Sequence, residues 1–95
     1  MKVIYISALL FSTLAYSQVG INTETPKATL DVIGNSSDAT KTDGLIAPRL
    51  TGNELKAKDG LYGADQLGAI IYATAAASPV TTKTANVTSA GYYYF

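Results

Sequence analysis

Apolar and polar residues alternate over two short stretches near the start of the chain. The first, VGIN, starts at Val19, and the second, ATLDVI, starts at Ala28. A period of two places successive side chains on opposite faces of an extended chain, so both stretches are predicted β-strands. The apolar faces of these two strands consist of Val19, Ile21, Leu30 and Val32.

Turn residues separate and end the two predicted strands. Pro26 fixes its own φ and disfavours the helical region for Thr25, so residues 23–26 (TETP) are a predicted turn. Gly34 ends the second strand, and residues 35–44 (NSSDATKTDG) are small and polar, as in a loop. We therefore expect two short strands joined by a turn at Pro26.

Further apolar segments predict short strands in the second half of the chain. Residues 69–74 (AIIYAT) have the strongest strand pattern, and residues 91–95 (GYYYF) form an aromatic strand. Residues 45–47 (LIA) are expected to be extended up to Pro48, which lacks an N–H and favours a strand end or a sheet edge. A further short strand is predicted at residues 85–88 (ANVT).

One segment carries a helix signal. Thr51 and Glu54 have the capping-box spacing, in which the Thr51 hydroxyl accepts from the N–H of Glu54 and the Glu54 carboxylate accepts from the N–H of Thr51. We predict one short helix of about two turns near residues 52–58, with Gly60 as its stop. The fold class is therefore mainly β, with short strands and one short helix.

The first residues have the composition of a signal peptide. Lys2 supplies a positive charge, and residues 3–14 (VIYISALLFSTL) form an apolar run. Ala15 and Ser17 then place small residues at the −3 and −1 positions of a cleavage site. The alternative is a membrane anchor, but the run is shorter than the roughly 20 apolar residues that span a bilayer.

The domain organisation follows from this leader. We expect a signal helix at residues 1–17, cleavage between Ser17 and Gln18, and a small β-rich module at residues 18–95. The mature chain is then secreted or held at the outer cell surface, with no transmembrane segment. A lipid anchor is excluded, because it needs a cysteine at the cleavage site and the chain has none.

Composition restricts how so small a module can be stable. The chain contains no cysteine and no histidine, so a disulfide framework and a structural zinc site are not available. Without Lys2, six basic residues accompany seven acidic ones, and no basic stripe predicts nucleic acid as a partner. We expect the module to gain its stability from other copies, as a homo-oligomer.

No catalytic, cofactor-binding or metal-binding residues are predicted, and we do not expect an enzyme. Without histidine, neither a Ser-His-Asp triad nor a Cys-His pair can form. The eight glycines have no phosphate-loop spacing. A hydrolase domain is an open alternative, and it predicts a cleft in which carboxylates converge as general acid and base.

The tyrosines suggest one alternative function. Tyr72 and Tyr92–Tyr94 lie in predicted strands, where aromatic side chains favour the strand and pack across it. The same residues could form a platform for a carbohydrate or a protein partner. An exposed row of tyrosines would favour the platform, and buried rings would favour packing.

Four ordered segments carry a resemblance to a known group of proteins. The chain resembles the N-terminal module of secreted tail-fibre-like and adhesin-like surface proteins of Gram-negative bacteria. In those proteins a Val-Gly-Ile-Asn-Thr element leads through a proline to Ala-x-Leu-Asp-Val-x-Gly. The matching segments are VGINTETPKATLDVIG (19–34), DGLIAPRLT (43–51) with Glu54-Leu55, GAIIY (68–72) and GYYYF (91–95).

The resemblance implies a structural role in a trimeric, intertwined β-fibre that contributes to assembly and adhesion. It implies that Val19, Ile21, Leu30 and Val32 meet partner chains. The Asn-Gly and Trp that usually follow the aromatic strand are missing. We therefore expect the natural protein to continue beyond Phe95.

Overall fold

The computed structural model describes residues 17–95, which belong to two compact units divided after Leu45. We call residues 17–45 the ribbon unit and residues 46–95 the sheet unit. The predicted signal peptide lies outside the described residues, except for Ser17. Each unit contains one small sheet, and the sheet unit also contains one short helix. This confirms the prediction of a β-rich module.

The ribbon unit contains a two-stranded parallel sheet. Gly20 of the first strand lies opposite Asp31 of the second, at the centre of the register. The ladder extends beyond the strands, because the N–H of Ile33 donates to the carbonyl of Ile21 at 3.0 Å. Both predicted strands are confirmed, with the bounds Val19–Ile21 for β1 and Leu30–Val32 for β2.

A short connection, residues 22–29, joins the two parallel strands of the ribbon unit. Parallel neighbours usually need a crossover of about a dozen residues or more. Asn22 lies in the left-handed region with φ of +61°, and its side-chain N–H donates to the carbonyl of Ile33 at 3.2 Å. The Asp31 carboxylate accepts from a backbone N–H of the connection at 2.9 Å. Together with Pro26, these local bonds turn the chain back within a few residues.

The sheet unit is built on a three-stranded mixed sheet in the order β3-β4-β5. The β3 and β4 strands are parallel, whereas β4 and β5 are antiparallel. The strands predicted at residues 69–74 and 91–95 are confirmed as β4 and β5. The bounds are Arg49–Leu50 (β3), Gly52–Lys56 (helix α1), Ile70–Ala73 (β4) and Gly91–Tyr94 (β5), with 3-10 turns at Asp59–Leu61 and Ala64–Gln66.

A small core lies on one face of this sheet. Ile71 and Ala73 of β4 are buried there together with Ala77 and Val87 from the segment between β4 and β5. Gly52 is also buried, and a Cβ added to it would overlap the backbone of Ala77. Helix α1 therefore starts in close contact with this segment. The partly buried side chains that complete the core are Leu50, Leu55 and Tyr93.

The capping box of α1 forms as predicted. The N–H of Glu54 donates to the Thr51 hydroxyl at 3.0 Å, and the N–H of Thr51 donates to the Glu54 carboxylate at 3.0 Å. The helix ends earlier than expected, at Lys56, because the N–H of Lys58 bonds three residues back, to Leu55, at 2.9 Å. Gly60 is therefore not the helix stop but part of the 3-10 turn that follows.

Two of the apolar segments of the second half form no strand. Residues 45–47 form no strand, and β3 begins only after Pro48, whose carbonyl accepts from the N–H of Tyr72 at 2.9 Å. The strand predicted at residues 85–88 is wrong, because the chain turns there and the N–H of Val87 donates to a carbonyl three residues back at 2.9 Å. Val87 follows this turn and packs into the core.

Candidate functional site

The ribbon unit carries an uncovered apolar face. Residues paired in register on neighbouring strands project to the same side of a sheet, so alternate positions of β1 and β2 share one face. These side chains remain 39–51% exposed. We call this surface the ribbon face, and it consists of Val19, Ile21, Leu30 and Val32, the residues expected from the sequence.

Pro26 and Gly34 flank β2 on its two sides. Pro26 lies in the connection before it, as predicted. Gly34 follows it, and a Cβ at that position would meet the carboxylate of Asp43 at 2.9 Å. The same carboxylate accepts from the N–H of Asn35 at 2.7 Å. Pro26 and Gly34 therefore lie on either side of β2, beside the ribbon face.

The sheet unit carries a second uncovered face, opposite its core. Ile70 lies opposite Tyr94, and Tyr72 lies opposite Tyr92 in the antiparallel pair. Tyr92 and Tyr94 are 62% and 83% exposed, and Ile70 is exposed as well. The rings of Tyr72 and Tyr92 meet edge to face, with their centroids 5.0 Å apart. We call these four residues the tyrosine face; Arg49 of β3 is in register with Tyr72 beside it.

Tyr93 does not belong to the tyrosine face, which corrects the expectation of a platform formed by Tyr72 and all of Tyr92–Tyr94. Its side chain lies on the core side of the sheet, packed against the buried residues. Its hydroxyl donates to the carbonyl of Ser89 at 2.7 Å. The alternation of the strand therefore divides the aromatic run between packing and an exposed surface.

A cleft of about 280 Å³ lies on the core side of the sheet unit. The rings of Tyr62, Tyr93 and Phe95 line it. Lys83 crosses it and donates to the carbonyls of Asp59 and Tyr62 at 2.7 and 2.6 Å. Of the described residues that line the cleft, Asp59 alone has a carboxylate, so the carboxylate pair of the hydrolase alternative does not converge here.

Two carboxylates have altered acidity. The N–H of Thr51, and then its hydroxyl, lowers the pKa of Glu54 below its usual 4.5. The hydroxyl of Thr40, and then its N–H, lowers the pKa of Asp38 below its usual 3.8. Both carboxylates stabilise a local turn or cap, and the two belong to different units.

Other kinds of site are not seen in the part of the chain that the structure describes. Within residues 17–95, no cluster of three or more His, Cys, Asp or Glu side chains could hold a metal ion. No helix in these residues has the length and hydropathy needed to cross a bilayer. The two uncovered strand faces are therefore the features that remain to be explained.

Exposed apolar faces on short strands are typical of modules that complete their sheets or cores against other chains. This places the protein in the class of β-rich assembly modules. The family model described as phage tail-like trimerisation region matches residues 20–95, and the chain belongs to this family. The tail-fibre-like part of the resemblance is thereby confirmed, and membership supports a homo-oligomer. No curated protein and no solved structure is significantly similar to the chain.

Sequence reasoning missed two residues of the site. Ile70 belongs to the tyrosine face, and the alternation within residues 69–74 could have placed it beside Tyr72. Arg49 borders the same face through the parallel register of β3 and β4. No local signal could have shown this second position, because strands β3 and β4 are far apart along the chain.

Proposed function

We propose that the protein is a non-enzymatic, exported structural module that forms a homotrimer in a surface or secreted fibre and contributes to assembly and adhesion. One observation carries the proposal. The ribbon face leaves four aliphatic side chains about half exposed in a chain that belongs to a trimerisation family. Such a face favours contact with another chain over contact with water.

The ribbon unit also lacks the burial that would stabilise it alone. None of its described residues, 17–45, is buried. A two-stranded sheet in water is at best marginally stable without a third strand or a packed layer. Covering the half-exposed aliphatic side chains contributes about 1 kcal/mol for each of them. Three copies in which every ribbon face is covered by another copy therefore gain stability that a single copy does not have.

Export is the second part of the proposal, and it is supported by the composition of the leader. Cleavage between Ser17 and Gln18 releases a module that starts one residue before the ribbon face. The absence of histidine and cysteine supports a structural role over a catalytic one.

The test is the mass of the exported protein. The full chain is expressed in a Gram-negative host, purified from the exported fraction, and measured by intact mass spectrometry and light scattering. We expect loss of residues 1–17 and a particle of three chains. A folded monomer at high protein concentration would contradict the trimer, and retention of the leader would contradict export.

A matched pair of variants tests whether the ribbon face is the contact. Ile21→Asp places a charge on the ribbon face and is expected to give monomers, because an unpaired charge is costly to bury. Ile33→Asp is the control, since Ile33 is similarly exposed but projects to the opposite side of the ribbon. Equal masses for the two variants would show that the ribbon face is not the contact.

A second candidate function is a carbohydrate- or partner-binding module that uses Tyr72, Tyr92 and Tyr94. The exposure of Tyr92 and Tyr94 favours it, because flat rings with hydroxyl groups suit both sugars and proteins. Binding to an array of bacterial and host glycans tests it. The Tyr92→Ala/Tyr94→Ala variant should lose the binding while Lys41→Ala keeps it; binding by neither the protein nor the variants would exclude glycans.

A further inference from the structure

Each chain presents two uncovered faces of similar shape, one in each unit. The ribbon face spans two strands of three residues, and the tyrosine face spans two strands of four residues. At about 3.3 Å per residue these strands are roughly 10 and 13 Å long, and neighbouring strands in both pairs lie about 4.8 Å apart. Two such layers can pack face to face at about 10 Å.

We infer that the ribbon face of one copy packs on the tyrosine face of the next copy around the three-fold axis. The inference rests on the proposed trimer and names its contact surfaces. Contacts between two different surfaces are heterologous, and such contacts close into a ring when the rotation allows it. In a ring of three, every copy contributes one ribbon face and receives one, so both apolar faces of every copy are covered.

The alternative within a trimer is that the three ribbon faces meet one another on the axis. That arrangement covers the ribbon faces but leaves Tyr92, Tyr94 and Ile70 in water on all three copies. Exposed apolar patches of this kind are usually covered by a partner. The ribbon-on-sheet arrangement leaves neither face without a partner, and this difference favours it.

The chemistry of the two faces is complementary. The ribbon face is purely aliphatic, so it needs no hydrogen-bond partners when it is covered. The tyrosine face offers rings for aliphatic groups to pack on, while phenol hydroxyls at the rim can keep contact with water. The family match at residues 20–95 includes nearly all of both faces, as expected if both contribute to the trimer.

Disulfide cross-linking between introduced cysteines tests the inference. The chain has no cysteine of its own, so no other disulfide can form. The exported protein is prepared with Ile21→Cys combined with either Tyr92→Cys or Tyr94→Cys, which covers two registers of the layers. Mild oxidation should yield covalent trimers on a non-reducing gel for at least one of these pairs. Each single-cysteine variant should remain a single chain on the gel, and so should the control Ile33→Cys/Tyr94→Cys.

Other results overturn the inference and leave the proposed function in place, provided that light scattering still shows a trimer. Covalent dimers from Ile21→Cys alone would show that ribbon faces meet each other. A cross-link within one chain would show that a ribbon covers its own sheet, and no cross-link in either pair would show that the faces do not meet. A monomer by light scattering would instead contradict the trimer itself. The expected cross-link would also exclude the tyrosine face as a glycan platform in the trimer.

Discussion

The two units use similar short strands but differ in where their apolar side chains lie. The sheet unit buries Ile71, Ala73, Ala77 and Val87, so its sheet has one covered and one open face. The ribbon unit buries no described residue, and its sheet leaves the whole ribbon face open. A strand pattern therefore shows that a face is apolar without showing which chain covers it.

The difference has a consequence for stability. The sheet unit draws on contacts within one chain, which do not depend on protein concentration. The ribbon unit is stabilised by contacts that we assign to other copies, and fewer copies are associated on dilution. Substitutions and two pH titrations test this division, beginning with the largest expected effect.

The strongest test compares Ile71→Ala in the sheet unit with Ile21→Ala in the ribbon unit. Ile71 is 8% exposed, so its truncation should lower the free energy of unfolding by about 2–5 kcal/mol at every protein concentration. Ile21→Ala should destabilise only the associated protein. Urea unfolding followed by circular dichroism at a high and a low protein concentration measures both. An equal, concentration-independent loss for Ile21→Ala would mean that its own chain buries it.

The packing of α1 in the sheet unit is tested by Gly52→Ala. The added methyl overlaps the backbone of Ala76 and Ala77, which cannot move aside as a flexible side chain could. We expect a loss of about 3 kcal/mol in the free energy of unfolding. Gly60→Ala is the control, because open space surrounds that position and its effect should be near zero. A tolerated Gly52→Ala would show that the segment after β4 is loosely packed.

The buried polar contact of the sheet unit is tested by Thr84→Val. Thr84 is almost fully buried, and its hydroxyl accepts from the N–H of Thr81 at 2.8 Å. Valine has a similar shape but leaves that N–H without a partner, which should cost about 2 kcal/mol in thermal or urea unfolding. Thr84→Ser keeps the hydroxyl and should restore much of the loss. If serine costs as much as valine, the methyl group of Thr84 contributes as much as its hydrogen bond.

A smaller effect is expected at the cap of α1. Thr51→Ala removes the hydroxyl that accepts from the N–H of Glu54, which should cost about 1 kcal/mol in the free energy of unfolding. Thr51→Ser keeps the acceptor and serves as the control. Because the cap belongs to the sheet unit, the loss should be the same at high and low protein concentration.

The smallest effect is a pH dependence. A carboxyl whose pKa is lowered by folding stabilises the protein above its ordinary pKa, and this stabilisation disappears as the pH falls through the lowered value. Glu54 is such a group in the sheet unit, with an ordinary value of 4.5. Thermal unfolding of wild type and Glu54→Gln, titrated from neutral pH to about pH 3, should show an advantage of wild type that shrinks on acidification. Parallel curves would show that this carboxylate contributes nothing by its charge.

The ribbon unit offers the matching titration. Asp38 has a lowered pKa, from an ordinary value of 3.8, because it accepts from the hydroxyl and the N–H of Thr40. Asp38→Asn should remove the corresponding acid sensitivity. Light scattering is the more informative measurement here, because a weakened ribbon unit is expected to lower the mass of the assembled particle.

Much of the fold could be predicted from local patterns. The capping box at Thr51 and Glu54 and the bend just before Pro26 depend on neighbours in sequence, and the structure has both. The core position of Val87 could not be predicted, because it depends on contacts with residues elsewhere in the sheet unit. Local rules cannot distinguish an apolar residue in a turn from one in a strand when both enter the core.

The sequence by itself determined that the module contains short strands with one capped helix, and that Val19 and Ile21, and likewise Leu30 and Val32, form the apolar faces of two strands. It also determined that neither disulfides nor histidine chemistry is available. Only the tertiary structure decided that β1 and β2 run parallel, and that Tyr93 is packed inside while Tyr92 and Tyr94 are exposed. The physical reason is that alternation assigns residues to faces, whereas the covering of a face depends on contacts between segments that are distant in the chain or belong to another copy.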